Sequence, residues 1–334
     1  MKKLLSKVLA LTLIVGMLSG CSSESTTTES TTTESTTTES TTTESTATSA
    51  SDVKVGVIQY MEHTALDAAC DGFVAALVEA GIPEENIEIQ NAQGEQTNCA
   101  TIATKFVNDQ VDLILAIATP AAQAAAQATA NIPILATAVT DFEVAGLTSD
   151  NISGTSDMNP VADQIALLLE ITPDAETVGV MYCSSEDNSV LQADLAIAEL
   201  EALGVAYDVF TAADSNEVQQ VVQSAVGKVD SIYIPTDNLF AATMATVAQI
   251  AGPAGIPVIC GEGGMVEAGG LASFGIDYTK LGAQTGAQAV SILLDGVSIS
   301  DVEVEFSPVE DLEAFVNEDM FTEFGLEIPA SLLS

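Results

Sequence analysis

The chain has no arginine and no tryptophan, and a single histidine, His63, among 334 residues. Beyond the N-terminal segment only four lysines stand, Lys54, Lys105, Lys228 and Lys280, while the whole chain carries 48 acidic side chains and a formal net charge of −41. Nucleic-acid binding needs clustered cations on phosphates, which this composition cannot supply. Electrostatic attachment to anionic lipid is excluded on the same ground. Without arginine there is no guanidinium fork to grip a carboxylate. A carboxylate would have to be met by hydroxyls and by N–H groups at helix N-termini. With one histidine and no Cys-x-x-Cys spacing, neither a metal site nor a cofactor is expected. There is no Gly-x-Ser-x-Gly, His-Glu-x-x-His or P-loop, and no nucleophile beside a base, so an enzyme is not expected either.

What is present begins at the N-terminus. Lys2, Lys3 and Lys7 precede an apolar run over 8–18, too short to span a bilayer comfortably, which ends in Leu18-Ser19-Gly20-Cys21. This reads as a signal peptide over 1–20 and a lipobox, with diacylglycerol expected on Cys21. Residues 21–51 read as a disordered tether, in which STTTE recurs over 25–44. The tether holds no apolar surface to offset its conformational entropy, and its glutamates repel one another. It can reach at most about 100 Å at full extension. The chain is therefore expected outside the cytoplasm, lipid-anchored to the cell membrane of a bacterium.

From residue 53 onward, short β-branched apolar runs alternate with helical patterns. Strands are expected over 55–59, 87–91, 113–118 and 134–139, then over 178–183, 207–211, 231–234 and 258–261. Helices are expected near 65–80, 98–109, 120–130, 160–171, 189–203, 216–226, 239–251 and 278–294. Near-continuous apolar strands with helical crossovers imply parallel sheets covered on both faces. The two sets repeat one another. Val55-Gly56-Val57-Ile58 is echoed by Val178-Gly179-Val180-Met181, and Ile132-Pro133-Ile134 by Ile256-Pro257-Val258, at offsets near 120 residues. The expected class is α/β, two doubly wound parallel-sheet lobes joined by crossing strands. The first lobe is assigned 52–157 plus 277–300 and the second 158–276. A C-terminal crossover and helix take 301–334. The strand at 271–276 is expected to cross back. Cys70 and Cys99 fall on the first two helices, where one bridge or two buried thiols are equally compatible; Cys183 and Cys260 are read as free.

Ligands of open parallel sheets bind outside the carboxyl ends of the strands. Those ends offer Tyr60, Met61, Glu62, His63, Thr119, Ala121, Thr140 and Asp141 in the first lobe. The second offers Ser184, Ser185, Asn188, Ser189, Asp237, Asn238 and Glu262. Thr119 and the N–H groups behind Pro120 suit a carboxylate, or serve only as a cap. Ser184, Ser185, Asn188 and Ser189 suit a small anion. Asp237 suits an ammonium, with Glu62 as the other candidate. Tyr60, Phe142, Tyr182, Phe240 and Tyr278 are candidates for stacking on an apolar ligand.

Several of these stretches carry a resemblance. Ile58-Gln59-Tyr60-Met61-Glu62-His63, Asn91-Ala92-Gln93-Gly94, residues 116–123, Thr137-Ala138-Val139-Thr140-Asp141, Pro235-Thr236-Asp237-Asn238 and Phe274-Gly275-Ile276-Asp277-Tyr278 resemble the tryptophan-type ABC-transporter substrate-binding lipoproteins of streptococci and related Firmicutes. The resemblance covers 53–299. It implies a type I periplasmic-binding-protein fold, a Gram-positive cell and a monomer that delivers its ligand to a permease and an ATPase. The ligand implied is an amino acid, aromatic or apolar. A sugar or nucleoside receptor of the same fold, or a sensory lipoprotein, is the alternative. The STTTE tether, the acidity and the Cys70/Cys99 pair depart from the family pattern, and none touches the cleft.

Overall fold

The computed structural model describes residues 49–333; the signal peptide, Cys21 and nearly all of the tether lie outside the described residues. The first set of strands is β1 (Val55–Gln59), β2 (Ile87–Asn91), β3 (Leu113–Ile117), β4 (Ile134–Val139) and β5 (Ile152–Ser156). The second is β6 (Thr177–Cys183), β7 (Ala206–Ala212), β8 (Ser231–Ile234), β9 (Val258–Cys260) and β10 (Ala272–Ile276). Two short strands near the C-terminus, β11 (Glu305–Phe306) and β12 (Leu312–Val316), complete one six-stranded sheet each. The orders are β11-β5-β4-β3-β1-β2 and β12-β10-β9-β8-β6-β7. Every pairing is parallel except β10 with β12.

Helices α1 (Thr64–Glu79), α2 (Gln96–Asp109) and α3 (Thr119–Ala128) connect the first strands. Then come α4 (Val161–Ile171), α5 (Asp187–Leu203), α6 (Ser215–Ala225), α7 (Asn238–Ala251) and the short α8 (Gly263–Glu267). Two more, α9 (Tyr278–Leu293) and α10 (Glu318–Phe324), follow. The strands β1, β3 and β4 are buried at every residue, as a sheet covered on both faces requires. Phe73 and Phe106 fill the first core, and Phe240 and Tyr233 lie on opposite faces of the second sheet. Each such side chain contributes roughly 1.5–3 kcal/mol by leaving water.

The chain passes between the sheets three times: after β5, after β10 and after β11. The strand expected to cross back does not. β10 stays in the second sheet, held between β9 and β12, and the passage follows it at Asp277. The helix after that passage, α9, packs along α1 on the first sheet. Gly72 and Gly282 make this possible, because a Cβ at either would strike the facing backbone carbonyl of Thr279 or Ala69.

β5 is absent from the apolar pattern because Ser153, Thr155 and Ser156 are polar yet buried. Their hydroxyls are satisfied internally: Thr155 shares hydrogen bonds with Thr137 at 2.9 Å and Thr285 at 2.7 Å. Cys70, Cys99, Cys183 and Cys260 are all buried and free, so the Cys70–Cys99 alternative resolves to two thiols.

Candidate ligand-binding site

The carboxyl ends of the two sheets face one another, and side chains meet across the gap. His63 Nε2 lies 3.2 Å from Asn238 Oδ1. Gln123 donates to Asp187 at 2.8 Å, and Gln192 donates to the Thr140 hydroxyl at 2.9 Å. A cavity of about 670 Å³ opens between the lobes, lined by Tyr60, Met61, Glu62 and Gln93 from one side and by Cys183, Ser185, Glu186 and Leu239 from the other.

The first lobe presents helix starts. Neither α1, α2 nor α3 has a side-chain cap. Before α3, Ala118 sits at φ 80°, ψ 154°, a region that side-chain-bearing residues rarely adopt. Gln93 and Ala138 also have positive φ, at 57° and 55°. Strained backbone is thus gathered at the ends of β2, β3 and β4. Thr119 is only 2 % exposed, and its Oγ1 has no partner among the described residues.

The second lobe presents carboxylates. Asp237 caps α7 by accepting from the Phe240 N–H at 2.8 Å, and it also accepts from the Cys183 N–H. Glu262 caps α8, accepting from the Met265 N–H at 2.9 Å and from Gly264. Burial pushes the Glu262 carboxyl up to about 7. Glu186, 3 % exposed, accepts from the Asn238 side-chain amide. Burial first, and the nearby Asp237 second, hold the Glu186 carboxyl well above the usual range. No cation among the described residues pairs with it: their four ion pairs all belong to Lys105 or Lys280. Burial raises the Tyr60 phenol as well, and Glu186 adds to it from the opposite lobe. His63 is pulled down to about 4 by burial and is neutral at pH 7.

Of the residues expected from sequence, Tyr60, Met61, His63, Thr119, Thr140, Asn188, Ser189 and Asn238 come together around this gap, and Ala121 is buried in the first turn of α3. Others do different work. Asp237, chosen for an ammonium, is occupied by backbone N–H groups. Asp141 holds its own turn by accepting from the Glu143 and Val144 N–H groups. Ser184 is exposed, and Ser185 lines the cavity with its hydroxyl donated to the Ala213 carbonyl. Phe240 is core rather than rim, and the Tyr278 hydroxyl donates to Asp157 at 2.8 Å, away from any stacking role. Glu186 falls within the Ser184–Ser189 strand end but no role was expected of it, nor of Gln192 or Asp157. In so acidic a chain a glutamate carries no signal of its own; only its place directly before α5 marks Glu186.

Comparison with known proteins follows the same lines. A family model described as ABC transporter substrate binding protein matches residues 54–334. A tyrosine-binding protein of Clostridioides difficile (strain R20291) is 39% identical over 95% of this chain and 91% of its own length. An ABC domain in complex with L-Trp from Streptococcus pneumoniae superposes with a TM-score of 0.79 at 35% identity, covering 84% of this chain and 97% of that one. The ligand-free, open structure of a substrate-binding protein with adhesive properties from Clostridium difficile gives 0.63 at 46% identity, covering 83% and 96%. The higher identity thus goes with the poorer superposition. The arrangement here agrees with the L-Trp complex better than with the open form. The fold is that of the type I periplasmic binding proteins, and the chain belongs to the ABC transporter substrate-binding protein family.

Proposed function

We propose that this chain is the lipid-anchored receptor of an ABC importer and that it closes its two lobes on an aromatic amino acid. Cys21 is its anchor, and it acts as a monomer that hands the ligand to a permease and its ATPase. The observation that carries this reading is the unlike character of the two facing edges. Uncapped helix starts and the unpartnered Thr119 hydroxyl stand on one side; a buried carboxylate without a cation, Glu186, stands on the other. A zwitterion satisfies both at once. Its carboxylate meets Thr119 and the α3 N-terminus, where the helix dipole favours negative charge. Its ammonium meets Glu186, removing the penalty of an unpaired buried charge. Tyr60, Met61 and Leu239 supply apolar surface for a ring. The tyrosine-binding relative and the L-Trp complex support the aromatic class.

Calorimetry with L-tyrosine, L-tryptophan and L-phenylalanine, beside a panel of sugars and nucleosides, tests the reading. Saturable heat with one or more of the three amino acids is expected. Heat with sugars or nucleosides alone would overturn the ligand class and leave the fold intact.

A further inference from the structure

Gln192 lies on α5 one turn after Asn188 and on the same helical face. It is fully buried, at 0 % exposure. Its hydrogen bonds can be followed into the segments that join the lobes. The Tyr278 hydroxyl donates to Asp157 Oδ2 at 2.8 Å, and the Thr140 hydroxyl donates to Asp157 Oδ1 at 3.0 Å. Gln192 Nε2 donates to Thr140 Oγ1 at 2.9 Å. A threonine hydroxyl has a single proton, and Asp157 takes it, so Thr140 can only accept from Gln192. The amide is thereby oriented, with its nitrogen toward the crossover segments and its oxygen away from them. That oxygen, Oε1, is buried and has no partner among the described residues. The same is true of Asn188 Oδ1. Both are pure acceptors, and both stand on the helix that Glu186 precedes.

We propose that Gln192 is a specificity-determining residue that accepts a hydrogen bond from the ligand's ammonium beside Glu186 and, through Thr140 and Asp157, ties that contact to the crossover on which the lobes turn. This inference rests on the amino-acid reading above. Glu186 supplies charge and would attract any cation. Gln192 supplies direction: a ligand without N–H donors leaves Oε1 unpaired and costs the full desolvation of a buried amide oxygen. Tyr278 and Asp157 belong to two different crossings, so a contact made at Gln192 reaches both.

The test uses the full chain and two ligand pairs: L-tyrosine with 3-(4-hydroxyphenyl)propionate, and L-tryptophan with indole-3-propionate. The propionates lack only the ammonium. Gln192→Met keeps the length of the side chain and removes the amide. It is expected to weaken the amino acids by about tenfold or more, and to change the propionates by less than about twofold. Equal losses for both members of a pair would make Gln192 merely structural, and no loss for either would remove it from the site; each result overturns the proposal. Should Gln192→Met fail to fold, Thr140→Val removes the acceptor that orients the amide and cuts the path to Asp157. That variant is expected to lose part of its preference for the amino acids over the propionates while small-angle scattering records a smaller ligand-induced contraction; an unchanged preference would overturn the contact. An unchanged contraction would overturn the coupling. Heat from the unsubstituted chain with none of the aromatic amino acids would instead defeat the parent reading, before any variant is made.

Discussion

The helices that face the gap begin differently in the two lobes. In the first, α1, α2 and α3 start with no side-chain cap, and the residue before α3 is strained. In the second, α6, α7 and α8 are each capped by a carboxylate, from Asp214, Asp237 and Glu262. Capping neutralises the partial positive charge of a helix start and contributes about 1 kcal/mol. At α1, α2 and α3 the first lobe forgoes that stabilisation where N–H groups are wanted for something else, whereas α9, entered from the crossover, keeps it through Asp277. The second keeps it at α6, α7 and α8; α4 and α5 start without a side-chain cap, and before α5 Glu186 stands as an acid with no cation beside it. Two lobes built from a repeated pattern have thus become a donor edge and an acceptor edge.

Removing the acid should break this contrast most severely. Glu186→Gln is expected to weaken an aromatic amino acid by about 100-fold, near 2.7 kcal/mol, without lowering the melting temperature of the unliganded chain. Calorimetry and thermal melts read the two effects separately. Asp237→Ala should behave in the opposite way. It strips the cap from α7 and leaves the Cys183 N–H unpaired, costing about 1–2 kcal/mol of stability in denaturant titration, with a smaller loss of affinity than Glu186→Gln. On the donor edge, Thr119→Val is expected to reduce affinity about tenfold and leave the melting temperature unchanged, because the hydroxyl has no partner among the described residues.

Acidity should act on the two edges with opposite sign. His63, lowered from 6.5 to about 4, favours its neutral form when folded; its contribution is present above pH 6.5 and is lost as pH falls through about 4. Glu262, raised from 4.5 to about 7, favours its protonated form; its contribution is present below pH 4.5 and is lost as pH rises through about 7. Melting curves of His63→Gln should therefore show a shallower loss of stability on the acid side and leave the decline toward neutral pH in place. Smallest is Ala118→Gly. Relief of the strained dihedrals, offset by a more flexible unfolded chain, should stabilise by about 1 kcal/mol in denaturant titration.

How much of this was readable in advance follows from what each residue does. The apolar runs of β1, β3 and β4 announce themselves because both faces are buried, and the polar residues at helix starts, Thr119, Asn188, Asp237 and Asn238, fall where strand ends must fall. β5 was hidden because its hydroxyls bond to neighbouring segments rather than pack in an oily core, and hydroxyls in a strand look like a loop. β12 was hidden because its residues are only half-buried along an edge. At the site, the sequence distinguishes a turn from a strand but not a cap from a ligand contact. Asp237 and Glu186 are both acids beside helix starts; only the geometry shows that one is saturated by backbone N–H groups and the other is not. Gln192, well inside a helix, had no local mark at all.

Among the described residues, four buried polar atoms without partners belong to the facing edges: His63 Nδ1, Thr119 Oγ1, Asn188 Oδ1 and Gln192 Oε1. Each such atom costs about 1–3 kcal/mol when shut away from water unpaired. Closing on nothing is therefore uphill, and closing on the right cargo is not. For a transporter that recognises its receptor by shape, this is a safeguard against idling. Few empty receptors will present the closed outline, and ATP will be spent where there is something to carry.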